Sequence, residues 1–243
     1  MQIPAKYWDE IAVLYRKSKK EERENLKSNA EDLIKYADFL RQRGSGIIRL
    51  APDRGCAGSS KVFNASADCL KYTMPGAGAS YSFRVKDYRL ARLADLTFSN
   101  GGFEVTGVVT HGILTAIGDV PLENVTLQTR GVGFLADFAP VTDYDRAKKV
   151  GDELVRGIFR DGFVYRRRLR ALENTTYVLR SVAYDGTIPR AVEGFTYNEL
   201  DFDKRRDVTI AFRIVRRDTD GSVTLLWKQL AEKDAPEIKR KKK

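Results

Sequence analysis

The chain is predicted to be an α+β protein, mainly antiparallel β-sheet, with a long N-terminal helix and a second central helix. Three observations predict it. Apolar residues recur at helical spacing through the first 43 positions and again over 143–160. From Tyr81 onward short apolar runs are separated by turn residues. Hairpin connections outnumber crossover helices between those runs, which favours antiparallel pairing.

The first element is expected over residues 4–43. Pro4 stands near its start, where a missing N–H costs nothing. Trp8, Ile11 and Tyr15 share one helical face, and Leu26, Ala30, Leu33, Ala37 and Leu40 form a second stripe. Between them, residues 16–25 are wholly polar, and Gly44-Ser45-Gly46 ends the segment. Strands are expected at 47–50, 81–86, 93–99, 103–110 and 113–117, with Asn100-Gly101-Gly102 as a hairpin turn. The central helix is expected over 143–160, with Asp143 as its N-cap, Leu154 on its apolar face and Asp161-Gly162 as its stop. Further strands follow at 163–168, 176–183, 191–197, 208–216 and 223–229. Val208, Ile210, Phe212 and Ile214 give the clearest alternation in the chain. The organisation read from this pattern is a helical segment over 1–44, a β-rich domain over 45–231 and a basic disordered tail over 232–243.

Composition narrows the class of function. Hydrophobic residues make up 42% and charged residues 31%, so the chain can bury a core and is not a disordered polyelectrolyte. No apolar run approaches the ~20 residues that a membrane-spanning helix requires. The formal net charge of +10 favours anionic partners, although the terminal run Lys239-Arg-Lys-Lys-Lys243 carries half of it. Other basic clusters are Arg166-Arg-Arg-Leu-Arg170, Lys204-Arg-Arg206 and Arg216-Arg217.

Cys56 and Cys69 are the only two cysteines, flanking a small, polar, loop-like segment. That arrangement predicts one local disulfide, and with it an extracytoplasmic location, periplasmic or secreted; a cytoplasmic chain with two free thiols is the alternative. Residues 1–10 show no basic region followed by an apolar one, so a cleaved leader would have to precede this numbering.

Chemistry-bearing motifs are sparse. His111 is the single histidine, and no nucleophile elbow or metal-ligand spacing accompanies it, so neither a metal nor a cofactor is expected. The glycine-rich stretches at 75–80 and 130–133 lack the endings of phosphate or dinucleotide loops. Carboxylates are the one catalytic class present in quantity, with Asp137, Asp145, Glu193 and Glu199 as suspects for polymer hydrolysis, which needs two of them across a cleft. Arg166, Arg168 and Arg170 fall at alternate positions, so on a strand they would share a face suited to a polyanion. Trp8, Ile11 and Tyr15 form a compact apolar anchor suited to a protein partner.

These readings converge on a non-enzymatic, extracytoplasmic binding protein or structural subunit of a larger assembly, with another protein as its partner. A carboxylate hydrolase acting on a polymer such as a polysaccharide is the first alternative, and a polyanion-binding protein the second.

Overall fold

The computed structural model describes residues 5–53, 74–192 and 195–239; the Cys56 and Cys69 pair and Glu193 lie outside them. Two five-stranded antiparallel sheets pack face to face. The main sheet has the order β1-β14-β13-β10-β6, from β1 (Ser45–Leu50), β6 (Thr110–Gly118), β10 (Thr176–Ala183), β13 (Arg206–Arg217) and β14 (Val223–Asp234). The second has the order β3-β2-β4-β5-β9, from β2 (Ser80–Ser82), β3 (Asp87–Tyr88), β4 (Leu96–Ser99), β5 (Gly102–Val105) and β9 (Arg168–Arg170).

Alternation along the strands decides which side each residue serves. Val208, Ile210, Phe212 and Ile214 of β13 face the second sheet, where they meet Phe83, Leu96, Phe98 and Phe103. The Phe103 ring stands edge-on to Phe212, with centroids 5.0 Å apart, and Phe212 stacks on its cross-strand neighbour Tyr177. Burying such a ring contributes roughly 1.5–3 kcal/mol. The opposite face of the main sheet is apolar too: Ile113, Val178, Ala211 and Leu226 pack under two helices, α5 (Gly133–Asp137) and α6 (Tyr144–Arg156). Every residue of β10 is therefore buried. Two small hairpins complete the strands: β7 (Ile158–Arg160) with β8 (Phe163–Tyr165), and β11 (Pro189–Val192) with β12 (Phe195–Asn198).

The expected fold class is corrected here: the molecule is mostly antiparallel β-sheet, and its helices are few and short. The long N-terminal helix is four pieces, α1 (Ala5–Tyr15), α2 (Lys20–Asn25), α3 (Ala30–Lys35) and α4 (Ala37–Leu40). Tertiary anchors break it. Asp87 takes the backbone N–H and the hydroxyl of Ser18, fixing the chain in an extended turn after α1. Leu26 leaves the helical path to enter the main core, against Gly78. Asn29 then caps α3 by accepting from the Glu31 N–H, and Arg216 of β13 grips Asp32 at 2.6 Å. The second stripe consequently divides, with Leu26 buried and Leu33 exposed.

The central helix ends at Arg156 rather than 160, because Gly157 adopts φ +97° and turns the chain into β7. Asp161 and Gly162, expected as the helix stop, form the left-handed turn between β7 and β8. The expected strand at 191–197 belongs to two strands, β11 and β12. Residues 232–239, expected within a disordered tail, extend β14 to Asp234 and then dock: Glu237 bridges to Asp185 and Lys239 to Asp143. No helix among the described residues is long and apolar enough to cross a membrane.

Candidate functional site

The segment 165–170 passes from one sheet to the other and builds an arginine groove on the way. Arg166 exchanges both backbone hydrogen bonds with Leu114 of β6, at 2.8 and 3.1 Å. At Arg167 the chain bends; its N–H reaches Leu154 of α6 and its carbonyl accepts from Val105. β9 then joins β5 at the edge of the second sheet, with Leu169 packed against the core opposite Phe103. With Leu169 turned inward, Arg168 and Arg170 turn outward. Gly102 makes the pairing close: a Cβ there would lie 2.8 Å from the Leu169 carbonyl oxygen.

Arg166, Arg168 and Arg170 thus line one open groove of about 790 Å³, joined by Arg217 from the end of β13 and by the turn Asn100-Gly101-Gly102. Among the described residues no carboxylate lines it. Arg168 donates to the Ser99 carbonyl at 3.1 Å, and Arg217 lies 3.3 Å from Glu173. Arg166 and Arg170 make no ion pair among the described residues, and the buried Nε of Arg166 has no acceptor there. A buried guanidinium N–H without an acceptor costs free energy that an anionic oxygen would recover.

Two further cavities continue from the groove, one after the other. Asn100 is common to the groove and to a cavity of about 410 Å³, which also contains Asp53, Glu104, Arg92 and Arg167. Gly107 and Arg167 are common to that cavity and to a third of about 310 Å³, where Tyr144, Lys148, His111 and Tyr184 meet. His111 has both ring nitrogens engaged: Nε2 donates to the Ala147 carbonyl at 2.7 Å, and Nδ1 accepts from the Tyr184 hydroxyl at 2.9 Å. Burial pushes its pKa down, so it stays neutral and fastens α6 to β6. Next to it, Val109 sits at φ +46°, a costly conformation for a β-branched residue. The Val109 carbonyl is held by Arg205 at 3.0 Å and by the Tyr184 N–H at 3.1 Å.

The described carboxylate suspects, Asp137, Asp145 and Glu199, do not meet in any of the three cavities. Asp137 is exposed at the end of α5 and Asp145 is exposed in the first turn of α6. Glu199 is 1% exposed and engaged by Arg92, Arg190 and the Tyr15 hydroxyl. Burial alone would raise its carboxyl, but the hydrogen bond and charge of Arg92, with Arg190, hold it below the usual range. None of the three described cavities contains any of these suspects. Among the described residues no group of three or more His, Cys, Asp or Glu could hold a metal ion.

The anchor expected at Trp8, Ile11 and Tyr15 is largely internal. Ile11 and Tyr15 are buried against Leu90, Leu93 and Tyr197, and Tyr15 stacks on Phe202. Trp8 alone offers surface, at 49% exposure.

Strand alternation groups three of the groove arginines from sequence alone, and Arg216-Arg217 stands out there as a basic pair. Sequence has no means of joining Arg217 to the groove, since that juxtaposition depends on how the two sheets stack. Comparison with protein-family models, with curated proteins and with solved structures finds no match.

Proposed function

We propose that this chain is a non-enzymatic binding protein whose ligand is a polyanion held in the arginine groove. The observation that carries this reading is the set of four guanidinium groups in one open groove that has no carboxylate among its described lining residues, one of the four with a buried N–H that has no acceptor among them. Arginine presents its donors in a planar fork that matches phosphate and sulfate oxygens, and of the four only Arg217 is paired with a carboxylate, Glu173, among the described residues. The hydrolase reading has no comparable support, because Glu199 is consumed by two arginines and Asp137 and Asp145 stand apart from all three cavities.

Binding to inorganic polyphosphate, measured against salt, tests the proposal. The wild-type protein should bind with an affinity that falls linearly on a log–log plot of salt concentration. Replacing Arg166, Arg168 and Arg170 together with Gln should weaken binding and flatten that slope by about one for each phosphate no longer neutralised. An unchanged slope in a variant that melts like the wild type would overturn the reading. An extracytoplasmic location remains part of the proposal through the Cys56–Cys69 bond, which intact mass with and without reduction decides.

A further inference from the structure

The arginine groove is one end of a longer track. Asn100 joins it to the middle cavity, and Gly107 with Arg167 joins the middle cavity to the one under α6. The track follows the chain of β5 and its continuation, from Gly102 to Gly107. Five steps at 3.4 Å give roughly 17 Å between those two glycines, or about five nucleotide steps of a stacked single strand. The arginine groove and the far cavity lie beyond the two ends, so a 4-mer does not reach from the arginines to Tyr144. We propose, resting on the polyanion reading above, that this track takes an extended single-stranded nucleic acid, its phosphates on Arg166, Arg168 and Arg170 and a base against Tyr144 at the far end.

The chemistry changes along the track in the way a nucleotide chain requires. The charged residues described in the groove are all cations. The middle cavity has Asp53 and Glu104 with Arg92 and Arg167, along with the Thr97 and Thr106 hydroxyls. Such a mixed set of donors and acceptors suits base edges and sugar hydroxyls better than phosphate. The far cavity brings the Tyr144 ring together with two cations, Lys148 and Arg167, and one carboxylate, Asp152; the ring beside the cations is a combination that can stack a base next to its phosphate. A sulfated polysaccharide carries charge at every unit and has no flat aromatic face, so it would engage the arginine groove and gain nothing from Tyr144.

The test is fluorescence anisotropy of the full chain with labelled oligothymidylates of 4, 8 and 12 nucleotides and with heparin oligosaccharides of matched charge. Affinity for the oligothymidylates should rise steeply between 4 and 8 nucleotides and then level off. Tyr144→Ala combined with Lys148→Glu should lower affinity for the 12-mer roughly tenfold and leave the 4-mer and heparin unaffected. Lys148 is exposed and Tyr144 half-buried on α6, and melting curves verify that the variant is folded. Length-independent affinity, or a variant that binds the 12-mer like the wild type, overturns the track while leaving the groove intact. Heparin binding that depends equally on length and on Tyr144 overturns the nucleic acid as occupant. Failure of every polyanion to bind overturns the underlying groove reading instead, and is recognised because the arginine variants then change nothing.

Discussion

Glu199 illustrates how a residue that looks catalytic in sequence is spent on structure. Its carboxylate accepts from Arg92 at 2.5 and 2.9 Å, from Arg190 at 2.9 Å and from the Tyr15 hydroxyl at 3.2 Å. It therefore ties α1 and the β11–β12 hairpin to the short 3-10 turn Ala91–Leu93. Because its folded pKa is depressed, the stability it contributes is fully present above the unfolded-chain value of ~4.3. That stability is lost as pH falls through the lower folded value. Glu199→Gln should cost roughly 1–3 kcal/mol at pH 7, and the gap to the wild type should close as pH drops below about 4. Urea denaturation at pH 7, 5 and 3 measures both. A gap that stays constant with pH would mean that the carboxylate charge is not what holds these elements. Nothing in the sequence reveals this role, since Glu199 is more than a hundred positions from Arg92 and 184 from Tyr15.

Elements were legible where local chemistry matches tertiary demand. Asn100 and Gly101, at φ +46° and +66°, make the expected hairpin turn, and Asp143 accepts from the Arg146 N–H as the expected cap. The alternation of Val208 to Ile214 emerges as one buried face of β13. The N-terminal stretch misleads for a physical reason: its helical periodicity is real over single turns, but Asp87, Gly78 and Arg216 each take hold of it at a different place. The groove depends on one such local requirement. At Gly102 a methyl group would collide with the Leu169 carbonyl, 2.8 Å away, and backbone cannot move aside as a flexible side chain would. Gly102→Ala should therefore push β9 off β5, lowering stability by about 1–3 kcal/mol and weakening polyphosphate binding together with it. Gly101→Ala is the control for the turn itself. Its Cβ meets nothing within 4 Å, so it tests backbone strain at φ +66° without touching β9. Equal polyanion affinity in the wild type and Gly102→Ala would separate the groove from the strand pairing that positions it.

At the scale of the whole molecule, the expected division into a helical segment, a β domain and a free tail meets described segments near both termini, 5–50 and 234–239, that are woven into the sheets and helices. β1 pairs with β14 along all six of its residues, α3 is gripped by Arg216 of β13, and Tyr15 hydrogen-bonds Tyr197 at 2.8 Å. At the other end Ile238 donates to the Asp185 carbonyl at 3.0 Å, and the Tyr144 N–H at the start of α6 donates to Lys239. Pairings of such long sequence separation cannot be read from periodicity, which reports only on neighbours a few residues apart. They also couple the parts thermodynamically: unfolding the N-terminal pieces would uncover Leu90, Leu93 and Tyr197 at once. Far-UV and near-UV signals should therefore lose structure in a single coincident urea transition. Deleting residues 1–19 should broaden that transition and lower its midpoint, because the β11–β12 hairpin loses its apolar cover. Trimming from residue 236 should have a smaller effect, concentrated on α6, whose first backbone N–H then loses its acceptor. A deletion of 1–19 that left the midpoint unchanged would show that the β sheets fold independently of the segment draped over them.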